Sequence, residues 1–563
     1  MMFRIRARVW WLSAIAVALF AIPAALWLKP TLESSVRARI ESAAVRHGMV
    51  ARISQVHVGI WPLVRLDGFN LEPGHGILLH ADMIAATWFG HVRLAVHGGA
   101  LTGPEGVRVR SPYTFWDTVG LLGEDPRLKL IEPQAGLSIR KLAGPTGSAW
   151  SVEARDLDLG QLLDVRRDVQ PLLDGGVANG RLDLQVSTDE LRFHVDMGAR
   201  GTRLAALSDN GADEPQLGDA TDVAIRFDGA WRSAGSTIEI PEVHATVAGA
   251  VLTGSIALRD LSSDPVVDLA LGVQRLDFAQ LLGASGLEVP ESLGMAPGGG
   301  RDLGSATIEL QVRGRLADPA SLSVSQKIEF TPPRQVPPAI VRLRGDFTFT
   351  PDDSSGPRRL INVSPASPDF IALRDVPPLF VRTLLLAEDS AFYGHRGIDL
   401  RELPSALITD WSRGGAARGA STITQQLAKN LFLSRDKQLG RKLQELAITL
   451  MLESALGKDR ILEIYLNIIE WGPDLHGLRP AARRYFAREP QALTPAEMAF
   501  LVSIIPGPIK YQSSFAHGMP GPGLSVLIDE LLAKLRSVDA ISAEEYRRAI
   551  VEPIIIDGAG PEG

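Results

Sequence analysis

Two glutamates and a group of cations in the last third of the chain have the types and spacing to do chemistry. Glu388 ends an apolar helical run, Leu384-Leu385-Leu386-Ala387, where burial lifts a carboxylate pKa and makes it a useful proton acceptor. Glu445 is the second carboxylate. Arg441 precedes it by one helical turn, so the two share a face and can pair. Between the glutamates, Ser421-Thr422-Ile423-Thr424-Gln425-Gln426-Leu427-Ala428-Lys429-Asn430 reads as a helix entered from a glycine-rich loop containing Gly414, Gly415 and Gly419. Ser421 or Thr422 is positioned to cap it, and the first-turn amides favour an anion. Gln425 and Lys429, spaced i, i+4, can reach one ligand. Lys429, Arg441 and Lys442 are the candidates to steady negative charge as it develops. A solvated charged face accounts for Arg435 and Lys442 better than it accounts for Lys429.

These residues fall in ordered blocks: Glu388 to Gly397 (EDSAFYGHRG), Gly419 to Asn430 (GASTITQQLAKN), Arg441 to Glu445 (RKLQE) and Lys458 to Asn467 (KDRILEIYLN). In that order and at that spacing they resemble the peptidoglycan glycosyltransferase family over roughly residues 365 to 515. This family is the polymerase module of bifunctional penicillin-binding proteins and of monofunctional transglycosylases. The resemblance implies a mostly α, lysozyme-like lobe and growth of a glycan strand from lipid II. The 4-hydroxyl of an acceptor disaccharide attacks C1 of the donor sugar, the configuration inverts from α to β, and undecaprenyl pyrophosphate leaves. Glu388 is then the base, and Glu445 orients cationic residues, a metal or the leaving group. Ser421, Thr422, Gln425, Gln426, Lys429, Asn430, Lys437, Arg441 and Lys442 are implied to bind substrate, with Lys429, Arg441 and Lys442 on the pyrophosphate. Asp389, Phe392 and His395 are expected to shape the turn around Glu388, and Glu463, Tyr465 and Asn467 to pack as framework.

The family typically uses a divalent cation, Mg2+ or Mn2+, but nothing here has ligand spacing beyond the carboxylates; no organic cofactor is implied. Two positions depart from the family pattern. Lys437 stands where Arg is common, keeping the charge and losing the bidentate fork. The segment Pro508-Ile509-Lys510-Tyr511-Gln512 has Gln in place of Asn. No Lys-Thr-Gly motif occurs and little chain follows Tyr511, so the module is expected to be monofunctional and to rely on a separate transpeptidase.

These residues need a scaffold, and the rest of the chain suggests one. At 563 residues two or more domains are expected. Hydrophobic residues at 45% and charged residues at 22% describe a folded chain. The net charge of -7, without a long basic run, argues against a nucleic-acid partner. The lack of cysteine excludes disulfides and thiolate chemistry. Val9 to Leu28 is an uncharged run long enough to span a bilayer, preceded by Arg4, Arg6 and Arg8 and flanked by Trp10, Trp11 and Trp27. It reads as a signal-anchor that puts the bulk of the chain in the periplasm of a bacterial inner membrane; a cleaved signal peptide is the alternative.

Leu32 to Arg46 has helical spacing, with Leu32, Val36, Ile40 and Ala44 on one face. From Val50 to Phe349 the pattern alternates with period two, as in Arg181 to Val186 and Ser305 to Val312, which is how half-buried strands read. Leu157-Asp158-Leu159-Gly160-Gln161-Leu162-Leu163 recurs as Leu276-Asp277-Phe278-Ala279-Gln280-Leu281-Leu282, as if a strand led into a short helix in two similar units. This region, with Val56 to Glu72, resembles AsmA-type envelope proteins, which are periplasmic and β-rich; a β-rich spacer is the plainer reading. The expected order is a cytoplasmic tip and anchor (1–29), a β-rich domain (30–350), a Pro/Ser/Asp-rich linker (351–368), a mostly α glycosyltransferase domain (369–520) and a helical tail (521–563). Rival classes are a lytic enzyme, against which the cations argue, and an envelope lipid-handling or scaffold protein with a vestigial lobe, against which intact Glu388, Lys429 and Glu445 argue.

Overall fold

The computed structural model describes residues 29–556, apart from 120–126, 205–217, 296–301, 352–359, 400–420, 434–438 and other short stretches. The run Val9–Leu28 lies outside the described residues, and among these no helix is long and apolar enough to cross a membrane. The chain divides into two compact units, one formed mostly by residues up to Ala248 and the other mostly from Gly249 onward.

The first unit opens with a helix over residues 29–46. Val36 and Ile40, on the face expected from their spacing, pack on buried Ile53, Val56 and Leu66, while Leu32 at the start of that face is exposed. Glu33 accepts from the Val58 amide at 3.1 Å and Arg37 donates to the Ser54 carbonyl at 3.1 Å, tying the helix to the first strand. The strands that follow are antiparallel. Val50–Val58, Val64–Gly74, Ile77–Trp88, Val92–Thr102 and Val107–Val119 form a meander. Ser148–Asp158, Val177–Val186, Glu190–Leu204, Thr221–Arg232 and Thr237–Val247 form a ladder in which Leu182 lies opposite both Val152 and Val195.

The internal repeat marks equivalent strand-to-helix junctions. Ser148–Asp158 runs into the one-turn helix Leu159–Leu162, and Val266–Asp277 runs into Phe278–Ala284. In each, the aspartate accepts from a first-turn amide at 3.0 Å, Asp158 from Gly160 and Asp277 from Gln280. This is the capping that a short polar side chain provides at a helix start.

The second unit joins the strands Ala250–Arg259, Val266–Asp277, Ser305–Arg315 and Ser323–Thr331 to the helical lobe. One buried core holds Phe278, Leu282 and Leu303 from the strand side together with Ile371, Phe380 and Leu427 from the helical lobe. Polar contacts follow the same seam. Ser292 donates to the Phe432 carbonyl at 2.7 Å, Gln444 to that of Glu288 at 2.7 Å, and Gln326 to that of Ile398 at 3.1 Å. The β-rich stretch expected as one domain over 30–350 is therefore divided, because period-two alternation says that one face is buried and not what covers it.

The stretch read as a linker is anchored in its described part. Ile361–Val363 pairs with Phe347–Phe349, Val363 is buried, and Ser364 donates to Asp346 at 2.6 Å. The segment expected as a tail is core: Pro522–Ser537 buries Leu524, Ile528, Leu531, Leu532 and Leu535.

Candidate active site

Glu388 is the last residue of the helix Pro378–Glu388, which opens on proline and buries Phe380, Thr383 and Leu384. Asp389 leaves helical geometry with φ -164° and ψ 76°, ending the helix and aiming Glu388 into a cavity of about 240 Å³. Glu388 Oε2 accepts from Gln426 Nε2 at 2.8 Å, and Gln426 Oε1 accepts from the Tyr465 hydroxyl at 2.9 Å. Tyr465 fixes which way the Gln426 amide points, because a phenol that donates must face the amide oxygen. Burial, with the charges of Glu388 and Asp389, keeps the Tyr465 hydroxyl protonated well above its ordinary range. Burial also raises Glu388 above its ordinary 4.5; the Gln426 bond opposes the shift, and Asp389 adds to it.

The turn after Glu388 is fastened from both sides. His395 and Asp389 side chains are 2% and 3% exposed and meet at 2.8 Å. The Gly397 amide donates to His395 Nδ1 at 3.0 Å, so the ring proton sits on Nε2 and is donated to Asp389 Oδ1. With both nitrogens engaged, His395 is a neutral structural clamp. Asp389 Oδ2 accepts from the Ile423 amide at 3.0 Å, which links this turn to the next helix. At Gly397 φ is +86° and an added Cβ would lie 2.7 Å from side-chain carbons of Glu453 and Thr449, so the loop requires glycine there. Thr424 and Lys458 both bond Glu453, at 2.5 and 2.8 Å, and the Lys458 ammonium lies 4.3 Å from the Phe392 ring centre.

At the start of the helix Ile423–Phe432, Thr422 is the cap: its hydroxyl accepts from the Gln425 amide at 3.2 Å and donates to the Gly397 carbonyl at 2.6 Å. Gln425 completes the capping box by accepting from the Thr422 amide at 3.0 Å. The amides of Thr422, Ile423 and Gln425 are thus engaged within the protein. Gln425 is buried, while Lys429 is exposed. Gln426, one residue on, is the amide that meets the carboxylate. Asn430 is half-buried.

Ser421 connects the two glutamates. It lines the Glu388 cavity, and its hydroxyl accepts from Lys442 Nζ at 3.2 Å. Lys442 also pairs with Glu445 three residues on. Glu445 is 6% exposed and Lys442 54%, so a buried carboxylate holds a cation whose head stays accessible. Arg441 is half-buried on the same helix, Leu439–Ala455; Lys437 lies outside the described residues. Gln512, where the family pattern has Asn, donates to the Tyr485 hydroxyl and the Pro508 carbonyl, both at 3.0 Å.

The framework block holds the chain that enters the Glu388 helix. Asn467 exchanges hydrogen bonds with the Ile371 backbone at 2.9 Å, and Glu463 accepts from the Leu373 amide at 3.0 Å. Tyr465 is the member of this block whose contact with Gln426 goes beyond framework. The spacing within its helix signals only burial. Asp389 is filled by His395 and the Ile423 amide, Glu445 is paired with Lys442, and no three His, Asp or Glu side chains converge among the described residues.

A buried carboxylate shares its cavity with a hydroxyl that accepts from a carboxylate-held cation, an arrangement suited to group transfer. The transglycosylase family model matches residues 358–519. A biosynthetic peptidoglycan transglycosylase of Azoarcus sp. (strain BH72) is 38% identical over 33% of this chain and 82% of its own length. Another, from Aromatoleum aromaticum, is 47% identical over 24% of this chain and 58% of its own. Penicillin-binding protein 1A of Haemophilus influenzae is 37% identical over 33% of this chain and 21% of its own. The chain belongs to the peptidoglycan transglycosylase family, and these matches leave most of the β-rich half outside the shared segment.

Proposed function

We propose that the protein is a peptidoglycan glycosyltransferase that polymerises lipid II into glycan strands. The observation that carries this reading is Glu388, held by Gln426 and Tyr465 in a cavity whose Ser421 hydroxyl meets the Lys442–Glu445 pair. Glu388 takes the proton from the acceptor 4-hydroxyl as its oxygen bonds C1 of the donor sugar on the face opposite the leaving group. The C1–oxygen bond to phosphate breaks, and undecaprenyl pyrophosphate leaves with the electron pair. Lys442, oriented by Glu445, receives the growing charge, with Lys429 and Arg441 as further cations for the diphosphate.

The run Val9–Leu28 would anchor the chain in a bacterial inner membrane with the catalytic lobe in the periplasm, beside its lipid-linked substrate. The β-rich half then acts as an AsmA-like envelope module or spacer, and a separate transpeptidase crosslinks the product. Incubating the purified protein with labelled lipid II, beside Glu388→Gln, tests the reaction. Polymer from the wild type and none from the variant is expected; small muropeptides released from preformed glycan would overturn the reading in favour of a lytic enzyme.

A further inference from the structure

The cavity that holds Glu388 has a wall from outside the shared family segment. Its described lining includes Asp389, Ser390, Asp399, Ser421 and, from the helix Pro522–Ser537, Lys534. The family model ends at residue 519, so Lys534 arrives on an element beyond it. That element is fixed firmly: Leu531, Leu532 and Leu535 are buried around Lys534, and Arg382 of the Glu388 helix donates to the Val538 carbonyl at 2.8 Å. Lys534 is the only cation among the described lining residues, facing a wall with Glu388, Asp389 and Asp399. Its side chain is exposed and makes no ion pair among the described residues. Glu388 and Lys534 line the same cavity of about 240 Å³.

An ammonium without an ion pair among the described residues, on a rigid helix and lining the same small polar cavity as a proton acceptor, is arranged to hold an anion carried by the molecule whose hydroxyl Glu388 deprotonates. We propose that Lys534 is a substrate-positioning residue whose ammonium binds an anionic group, carboxylate or phosphate, of the sugar substrate entering the Glu388 cavity. This rests on the glycosyltransferase reading. The two anions have different sources on a lipid-linked disaccharide, a stem-peptide carboxylate or the carrier diphosphate.

The test is equilibrium binding of fluorescent lipid II to the full chain in detergent micelles, which needs no turnover, with polymer formation followed in parallel. Lys534→Gln should weaken binding about tenfold, the loss of one charge-assisted hydrogen bond, and Lys534→Arg should restore it. In turnover the same variant should raise KM by a similar factor with kcat little changed, the mark of a lost binding contact. Lipid II with amidated stem-peptide carboxylates separates the sources. If it binds wild type as weakly as Lys534→Gln binds lipid II, the anion is the carboxylate; if amidation changes nothing while Lys534→Gln still weakens binding, the anion is the diphosphate. Unchanged affinity in Lys534→Gln overturns the proposal whether or not polymer forms. Absence of polymer from a wild type that binds lipid II in a Lys534-dependent way would instead count against the glycosyltransferase reading alone.

Discussion

Glu388 shows how a single side chain acquires a task from its surroundings. Its carboxylate is lifted above the ordinary 4.5 chiefly by burial, and only its deprotonated form can accept a hydroxyl proton. Activity should therefore fall as pH drops through that raised value, at a higher pH than for an exposed glutamate, and a pH–kcat/KM profile reads the limb directly. Stability should run the other way. Between 4.5 and the raised pKa the folded chain holds a proton that the unfolded chain has released, so stability declines as pH rises across that window. Glu388→Gln should flatten this slope in urea melts taken across the window, while lowering kcat by roughly 10²- to 10⁴-fold. Tyr465→Phe offers a finer probe, since it removes only the hydroxyl that orients Gln426. A stability loss of about 1 kcal/mol is expected from the half-buried amide oxygen left without the hydroxyl. Polymerisation should slow as well, because Gln426 is then free to turn its oxygen toward Glu388.

At the scale of elements, the turn between the Glu388 helix and the Ile423–Phe432 helix is the part on which the geometry depends. Asp389 receives His395 on one oxygen and the Ile423 amide on the other, so one carboxylate sets the distance between both helices. His395→Ala should cost about 2 kcal/mol by removing a buried hydrogen bond to a charged group, measured as a lower urea midpoint. Were His395 a proton-transfer residue instead, the variant would lose a limb of the pH–rate profile and keep its stability. Gly397→Ala should destabilise by about 1–3 kcal/mol, since it combines a left-handed backbone with contact against Glu453 and Thr449. Much of this element was legible from sequence: the helix run into Glu388 and a Ser/Thr cap before Ile423 follow from local pattern, and the turn role of Asp389 and His395 is implied by the family resemblance. Which glutamine serves the carboxylate was not legible. Gln425 and Gln426 are neighbours, and only the position of the cap decides that the first closes the helix and the second faces Glu388. Tyr465 was equally hidden, because its spacing among Ile461, Leu462 and Leu466 signals a core position and carries no trace of a hydroxyl partner on a distant helix.

At the scale of the molecule, period-two alternation revealed strands but not their allegiance, and here the chain departs most from its sequence reading. The family segment begins at residue 358, yet its helices share their core with Phe278, Leu282, Leu303 and Ala306, and with Ile340 and Leu343 from the short helix before it. A fragment limited to 358–519 would expose that apolar surface and would also lose the buried leucines of Pro522–Ser537. At about 1.5–3 kcal/mol for each large side chain taken out of burial, the loss exceeds the roughly 5–15 kcal/mol by which a domain is stable. The fragment should be insoluble or molten, with weak near-ultraviolet circular dichroism and no cooperative melt. A fragment of 249–556 keeps the four strands and the C-terminal helices, and it should melt cooperatively. Cooperative unfolding of 358–519 alone would show that the helical lobe closes its own core and that the strands merely lie against it.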